Sequence, residues 1–453
     1  MGALRTLFRD GWRFGVLSPE YRAAGWPERL ALASVLLIPF QYALTIPAGF
    51  PLKLSELLVV AAAAAWLLRW RRNHVTIGLD LLLAGVLAVW VLISTGFALG
   101  FADLATPLPG GDRPPAIDMV VYCAYALFVL VFWFLLRGSH HLLLRDVLIQ
   151  SVWLALAAVL TQAAFMQVPG GDGVLRALGF DTRGRGQAIL GMLFGRSGPF
   201  LEGQHLGFYA GAVFVVALFA KRWLSLAAAS LCLLYSQSTT GLLGVAIAVV
   251  ATLVLLPRKR PLIVLGAVAV VGAAVIAIVP ALRSFALFQL AKLGIGTVSV
   301  NGVDAGRSLN IRGMKSDIGW KMMWDHPLLG VGPGRYAAHF YDYSDGYDVP
   351  PYYRSENLRV ISENGYVHIG SELGLVALLI FAALLGLLLF RSWRARNAVG
   401  VAAGVFTAVG FATQSSWTFM PIWATLGLLA AIAADRGLIL GDPPVPRGDK
   451  ASR

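Results

Sequence analysis

A succession of long apolar runs, separated by short polar loops, limits this chain to very few folds. A helix needs about 20 mainly apolar residues to cross a bilayer core. Inside lipid the backbone must satisfy its own hydrogen bonds, which leaves helices or closed barrels. Runs of this kind lie near 29–48, 55–70, 78–99, 117–136, 144–166, 201–220, 222–237, 240–257, 261–280, 365–390, 396–414 and 418–437. The sequence therefore predicts an all-α polytopic membrane protein of about twelve transmembrane helices, with a large helical loop between spans nine and ten. Only 13% of the 453 residues are charged, about half the share of a soluble domain. The 49 glycines suit helices that approach closely in lipid.

Basic residues set the orientation, because short cytoplasmic loops collect Lys and Arg. The N-terminal segment carries Arg5, Arg9, Arg13 and Arg22, the second loop Arg69, Arg71 and Arg72, and the fourth runs from Arg137 to Arg145. Lys221 and Arg222, then Arg258-Lys259-Arg260, then Arg391, Arg394 and Arg396 mark the sixth, eighth and tenth loops, and the tail holds Arg436, Arg447 and Lys450. The short odd loops 49–54, 238–239 and 415–417 contain only Lys53. Both termini are thus expected in the cytoplasm. The expected division is a cytoplasmic segment 1–28, nine spans over 29–280, an extracytoplasmic loop domain 281–364, three spans over 365–437 and a cytoplasmic tail 438–453.

The net charge of +13 and pI near 10.0 are spread over these loops instead of forming one patch, which argues against nucleic-acid binding. Cys123 and Cys232 each sit inside an apolar run, so neither a structural disulfide nor a metal site is expected. No cleavable signal peptide is expected in the first 28 residues. The start Met1-Gly2-Ala3-Leu4-Arg5-Thr6 fits a myristoylation pattern, read as coincidence in a chain already anchored many times. Within the large loop, 281–293 is expected as an amphipathic helix at the membrane surface. A second helix is expected over 308–325, with Ser308 as N-cap, Ile311, Met314, Ile318 and Met322 on one face and Pro327 ending it.

Four clusters of polar residues stand at the outer rim of the predicted bundle, where charge is expensive unless used or snorkelled. The first, Gly195-Arg196-Ser197-Gly198-Pro199-Phe200-Leu201-Glu202-Gly203-Gln204-His205, leads into the sixth span. Arg196 there can fork onto a phosphate or simply be solvated. The second is Arg312, Lys315 and Lys321, where Arg312 and Lys315 share a helix face. They can join Arg196 in a cationic pocket for a diphosphate, or form a solvated face. The third, Asp325-His326-Pro327-Leu328-Leu329-Gly330-Val331-Gly332-Pro333-Gly334-Arg335-Tyr336, is Gly-rich but lacks the Gly-Lys-Ser/Thr and the strand of a nucleotide loop. The fourth, Ser362-Glu363-Asn364-Gly365-Tyr366-Val367-His368-Ile369-Gly370-Ser371-Glu372-Leu373-Gly374, opens the tenth span. Glu363 suits a general base or a helix cap, while His368 lies five residues on and is read as packing.

The order of these motifs, with Tyr235-Ser-Gln-Ser-Thr-Thr-Gly-Leu-Leu-Gly244 and Trp320 between them, resembles the O-antigen ligase and O-antigen polymerase superfamily over about 195–385. The resemblance implies a metal-independent bacterial inner-membrane glycosyltransferase that needs no cofactor and works on the periplasmic face. Its donor is a glycan on undecaprenyl diphosphate, its acceptor another glycan, and a chain-length regulator is an open partner. By motif, Arg196 and Arg312 contact the diphosphate, with Lys315 beside them. Glu363 takes the place of the family's catalytic histidine, and Asn364 and Tyr366 follow it. Glu202, His205, His326, Arg335 and Tyr336 are expected in supporting or substrate-binding roles. Thr240 stands where many relatives have an arginine, a loss that Lys315 is expected to make up.

A glutamate at the histidine position favours a polymerase of lipid-linked repeat units over a ligase acting on lipid A-core. A lipid-linked glycan flippase would show broken helices and polar groups at mid-bilayer, whereas Glu56, Arg196, Glu202 and Glu363 gather at one boundary. The motifs of a shape-and-elongation peptidoglycan polymerase are not seen. The aromatic stretch Tyr341-Asp-Tyr-Ser-Asp-Gly-Tyr347 with Tyr352-Tyr353-Arg354 suits sugar contact or an ordinary interfacial loop.

Overall fold

The computed structural model describes residues 16, 18–47, 51–69, 75–101, 113–182, 195–257, 277–296, 299–300, 303–304, 307–414 and 416–435. The predicted ninth span lies outside these residues except for its last turn. Arg5, Arg9, Arg13, Arg71, Arg72, Arg258, Lys259, Arg260 and the basic tail lie outside them as well. In chain order the helices are α1 (Pro19–Ala23), α2 (Trp26–Leu36), α3 (Leu54–Leu68), α4 (Leu79–Phe101), α5 (Pro115–Arg137), α6 (His141–Phe165) and α7 (Gly171–Ala177). There follow α8 (Gly203–Phe219), α9 (Trp223–Ser236), α10 (Thr239–Leu255), α11 (Pro280–Ala291) and α12 (Arg307–Asp325). The short α13 (Tyr336–His339) and α14 (Tyr352–Ser355) lead to α15 (Gly365–Arg394), α16 (Ala398–Phe411) and α17 (Met420–Asp435). Among the described residues, strands occur as two antiparallel ladders, Ile46–Pro47 with Pro51–Leu52 and Ser299–Val300 with Val303–Asp304.

The helices α4, α5, α6 and α15 are long and apolar enough to cross a membrane. Together with the shorter apolar helices they point to a multi-pass membrane protein. The predicted first span, 29–48, differs from the observed element. Its helix stops at Leu36 and the chain turns before the first ladder, because Pro39 and Pro47 cannot continue a helix interior. The predicted seventh and eighth spans are α9 and α10, of 14 and 17 residues. At 1.5 Å per residue each is shorter than the roughly 30 Å apolar core. The second loop helix begins at Arg307, one residue before the predicted cap.

The bundle packs α8 against α9, α10 and α16, and α15 against α4, α16 and α17. Glycines set the closest approaches: a Cβ on Gly211 would lie 2.5 Å from the Phe406 ring. Cys123 and Cys232 are free and buried. At one end of the bundle Asp80 accepts from Arg137 Nε at 2.6 Å and from Arg391 at 3.0 Å, joining α4, α5 and α15. The chain from 307 to 364 covers the other end, where Arg359 pairs with Asp118 of α5 at 3.2 Å.

Within that cover, Met314, Ile318 and Met322 are buried with Val331, Tyr336, Phe340, Tyr353 and Val360. This is the apolar face expected from their helical spacing. α12 also rests on α15, so tightly that a Cβ on Gly319 would meet the Val367 side chain at 2.3 Å.

A break in α15 fixes the cover to the bundle. Gly374 has φ +85° and ψ 172°, which interrupts the helical hydrogen bonds on either side. The Gly-rich turn supplies replacements: Val331 N–H donates to Ser371 O at 2.8 Å, Gly332 N–H to Glu372 O at 3.0 Å, and Leu375 N–H to Pro327 O at 2.7 Å. A Cβ on Gly374 would lie 2.1 Å from Leu328 O. Gly374→Ala therefore adds a backbone clash to a conformation costing about 1–3 kcal/mol for other residues. It is expected to lower the melting temperature in detergent sharply. Gly386→Ala, in open space on the same helix, is expected to be neutral or to stabilise by up to about 1 kcal/mol.

Candidate functional site

The site forms where α8, α10, α11, α12 and the start of α15 meet. Asn364 caps α15: its side chain accepts from Tyr366 N–H at 3.1 Å and Val367 N–H at 3.3 Å. Glu363 is thus not the cap. It precedes the cap at φ +54°, and this left-handed backbone turns its side chain toward α12. There Glu363 Oε2 lies 2.9 Å from Arg312 Nε, and Oε1 lies 2.5 Å from Lys315 Nζ. Arg312 and Lys315, three residues apart, clamp one carboxylate from the shared face that their spacing predicts.

Gln204 fixes the other side of Arg312, accepting from its NH2 at 2.8 Å. It stands in the first turn of α8. Arg196 precedes that helix and lays its stem across Gly203, where a Cβ would be 3.0 Å from Arg196 Cγ. Arg196, Gln204, Ser238, Thr240, Lys292 and Arg312 line a cavity of about 120 Å³. Lys292 closes it from the end of α11, donating to Gln237 O at 3.2 Å. The N-termini of α8 and α10 both open into this cavity, and helix N-termini favour anions. A larger cavity of about 690 Å³ opens at the opposite end, beside Trp66, Arg69 and Arg137; no predicted site residue lines it.

Sequence reasoning overlooked Lys292 and Gln204. Lys292 lines the cavity with Thr240, in the place where Lys315 was expected to compensate; Lys315 is turned instead to Glu363 and to the Tyr353 ring at 5.3 Å. The signal for Lys292 was weak, one cation at the end of an amphipathic helix. Gln204 stood in the quoted motif beside Glu202 without a charge to single it out.

The remaining candidates divide clearly. Glu202 borders the site within the field of Glu363, Arg196, Arg312 and Lys315. Tyr336 is buried and donates through its hydroxyl to Lys315 O at 2.6 Å, so it positions α12. Tyr366 donates to Ala408 O at 2.7 Å and packs on Phe411. His205 packs against the Phe419 ring at 5.0 Å. Arg335 is buried at the Gly-rich turn. His326 is exposed beyond the end of α12, about 16 Å along the helix from Lys315 at 1.5 Å per residue. Of the aromatic stretch, Tyr353, Tyr347 and Tyr341 face Lys315, Lys321 and Arg354 respectively. Among the described residues no group of three His, Cys, Asp or Glu is placed to hold a metal.

Electrostatics sharpens the picture. Burial alone would raise the Glu363 carboxyl, but the adjoining Lys315 and Arg312 outweigh it and hold the group below its ordinary value of 4.5. Burial, followed by repulsion from Arg196 and Arg312, pushes the Lys292 ammonium down to about 8. The arrangement is a cationic cavity beside an ionised carboxylate, separated by the shared guanidinium of Arg312.

Because Glu363 is depressed in the folded state, the stability it contributes is complete above 4.5 and fades as pH falls through its lowered value. The difference in melting temperature between wild type and Glu363→Gln is expected to stay constant from neutral pH down to about 5 and to shrink below it. A difference independent of pH down to 3 would show that the ion pairs contribute nothing.

Residues 224–382 match the family model described as O-antigen ligase. The match supports membership of the O-antigen ligase and polymerase superfamily. It takes in Thr240, Lys292, Arg312, Lys315 and Glu363, while Arg196, Glu202 and Gln204 precede it. No curated protein matches the chain.

Proposed function

We propose that this chain, carrying the superfamily's segment over 224–382, is a glycosyltransferase that polymerises undecaprenyl-diphosphate-linked oligosaccharide repeat units. It works at the periplasmic face of the bacterial inner membrane. The observation that carries the reading is the shared Arg312, which reaches the cationic cavity and the Glu363 carboxylate at once. In this reading the bundle has twelve spans with both termini cytoplasmic, and 281–364 is the periplasmic domain. Its support is the charge at the far end of the bundle, where Arg69 and Arg137 line one cavity and cytoplasmic loops are expected to be basic.

The donor's diphosphate occupies the cavity between Arg196, Lys292 and Arg312, and its lipid tail leaves between apolar helices. The acceptor hydroxyl attacks the anomeric carbon of the donor sugar. The new C–O bond forms as the carbon–oxygen bond to phosphate breaks, and undecaprenyl diphosphate departs with the electron pair. Fixed cations neutralise that growing charge without reorganisation. Glu363 accepts the hydroxyl proton. Clamped by two cations, Glu363 is a weak base in the empty site. Donor binding draws Arg312 toward phosphate and leaves Glu363 with Lys315 alone, so the carboxylate becomes more basic only when a donor is present.

The first test incubates purified protein with lipid-diphosphate-linked repeat units, without added metal, and resolves products on a gel. Wild type is expected to give a ladder of lengthening glycans. Arg312→Ala is expected to lose about 10²–10³-fold in rate, the scale for removing a preorganised donor. Glu363→Gln is expected to lose about 10²–10⁴-fold, the scale for a general base. A full ladder from both variants would sink the assignment. The donor KM should also climb above pH about 8, as Lys292 loses its proton, and Lys292→Arg should remove that climb. A ligase reading has one observation in its favour, the description of the matched family model. It predicts no ladder, and glycan attached to lipid A-core once that acceptor is added.

A further inference from the structure

A second cavity, with a largely apolar lining and a few polar groups, lies on the far side of Tyr336 from the Lys315 backbone. It measures about 250 Å³ and is lined by Tyr122, Tyr336, Arg359, His368, Glu372 and Ser416, among others. Tyr336 touches both regions: its hydroxyl donates to Lys315 O, and its N–H donates to Glu372 Oε1 at 3.3 Å. The cavity lies between the bundle rim and its cover, with Tyr336 as the wall between it and the α12 backbone that carries Lys315.

Its walls carry buried polar atoms without partners. Glu372 is only 1% exposed and His368 only 4%. His368 Nε2 lies 3.1 Å from Glu372 Oε1, and the Tyr122 hydroxyl lies 3.3 Å from the same nitrogen. Glu372 Oε2 and His368 Nδ1 have no hydrogen-bond partner among the described residues. Nε2 is shared between the Tyr122 hydroxyl and the nearby carboxylate, so Nδ1 faces the cavity as a donor or an acceptor according to the tautomer. Leaving such groups unmet is costly, so two on one cavity wall call for an occupant that can hydrogen-bond to both.

The chemistry of that occupant is narrow. An anion is disfavoured by Glu372, and the Arg359 guanidinium is already answered by Asp118 and Gly334 O. A hydrophobic group would leave Oε2 and Nδ1 unmet. A polyol can donate to Oε2 and either donate to or accept from Nδ1, can bond the Ser416 hydroxyl, and can set its C–H face on the Tyr122 ring. The volume falls below the roughly 300–1,000 Å³ of drug-sized sites and suits a single sugar ring.

We propose that this cavity is the acceptor subsite: it holds a neutral sugar of the acceptor glycan, read by Glu372, His368, Ser416 and Tyr122. The assignment rests on the glycan-transfer reading above and adds where the second substrate sits. The donor's diphosphate and the acceptor's sugar then occupy two cavities that share no lining residue, which keeps two lipid-linked substrates from competing for one pocket.

The test separates this subsite from the transfer reaction. The probe is a lipid-free repeat-unit oligosaccharide, released from the producing cell's lipid carrier and titrated calorimetrically into the full chain. Wild type and Arg312→Ala are expected to bind it equally. Glu372→Gln should weaken binding at least tenfold and Ser416→Ala about threefold, each measured on protein that keeps a cooperative melting transition. In transfer assays both variants should raise acceptor KM while donor KM stays within twofold. Oligosaccharide binding that is absent from wild type, or unchanged in both variants, overturns the subsite; so do donor and acceptor KM values that rise together. Binding that follows the prediction, in a protein that transfers no glycan to any acceptor, would retain the sugar cavity and remove the glycosyltransferase reading instead.

Discussion

The backbone groups released where α15 breaks at Gly374 must be satisfied in a poorly hydrated place, since unpaired N–H and C=O groups at membrane depth cost several kcal/mol each. The turn 327–332 meets that demand with Val331, Gly332 and Pro327. In doing so it fixes the register between the cover and the bundle. α12 ends two residues before that turn, so its position along α15 is set from its C-terminal end, and the close approach of Gly319 to Val367 sets its distance. Arg312 and Lys315 reach Glu363 because both constraints hold at once.

The clamped carboxylate has an energetic logic of its own. Glu363 would be costly to keep ionised in a half-buried place, and Arg312 or Lys315 would be costly without it. Removing one member of such a group strands the others. Asp80 shows the same principle at the far end of the bundle, held between Arg137 and Arg391. The difference lies in accessibility. Asp80 itself is enclosed between α4, α5 and α15 at 2% exposure, although Arg137 also lines the larger cavity, whereas Glu363 is a fifth exposed and its partner Arg312 borders the cationic cavity, where it can exchange one anion for another. The Asp80 group joins three helices; the Glu363 group, through Arg312, can respond to an anionic ligand.

Much of this was legible in the sequence. Apolar runs fixed the helical class, the spacing of Ile311, Met314, Ile318 and Met322 gave the buried face of α12, and the three-residue interval of Arg312 and Lys315 placed both on one side. Other features depend on tertiary contacts that no local pattern encodes. Nothing near Gly374 announces a helix break, because Glu-Leu-Gly-Leu reads as ordinary helix with one weak residue. The early end of α2 was written in Pro39 and Pro47 but masked by the apolar run around them. Lys292 enters the site only through the fold of α11 back onto α10, and its neighbour in the cavity, Thr240, is 52 positions earlier in the numbering.

His368 marks the limit most clearly. Read as helix, its five-residue offset from Glu363 gives it a different face, though Glu363 stands before the cap of α15, and a buried histidine on an apolar helix is ordinarily packing. The helical partner that changes this is Glu372, one turn further on, whose Oε1 lies 3.1 Å from Nε2 while Tyr336 and Tyr122 bond to the pair from two other segments. Periodicity alone places His368 and Glu372 on one face. It takes the docked cover to enclose that face and turn a buried pair into the wall of a cavity. The same docking that brings Arg312 to Glu363 thus also creates the second cavity, so the two halves of the site are consequences of one contact between α15 and the turn that reads its break.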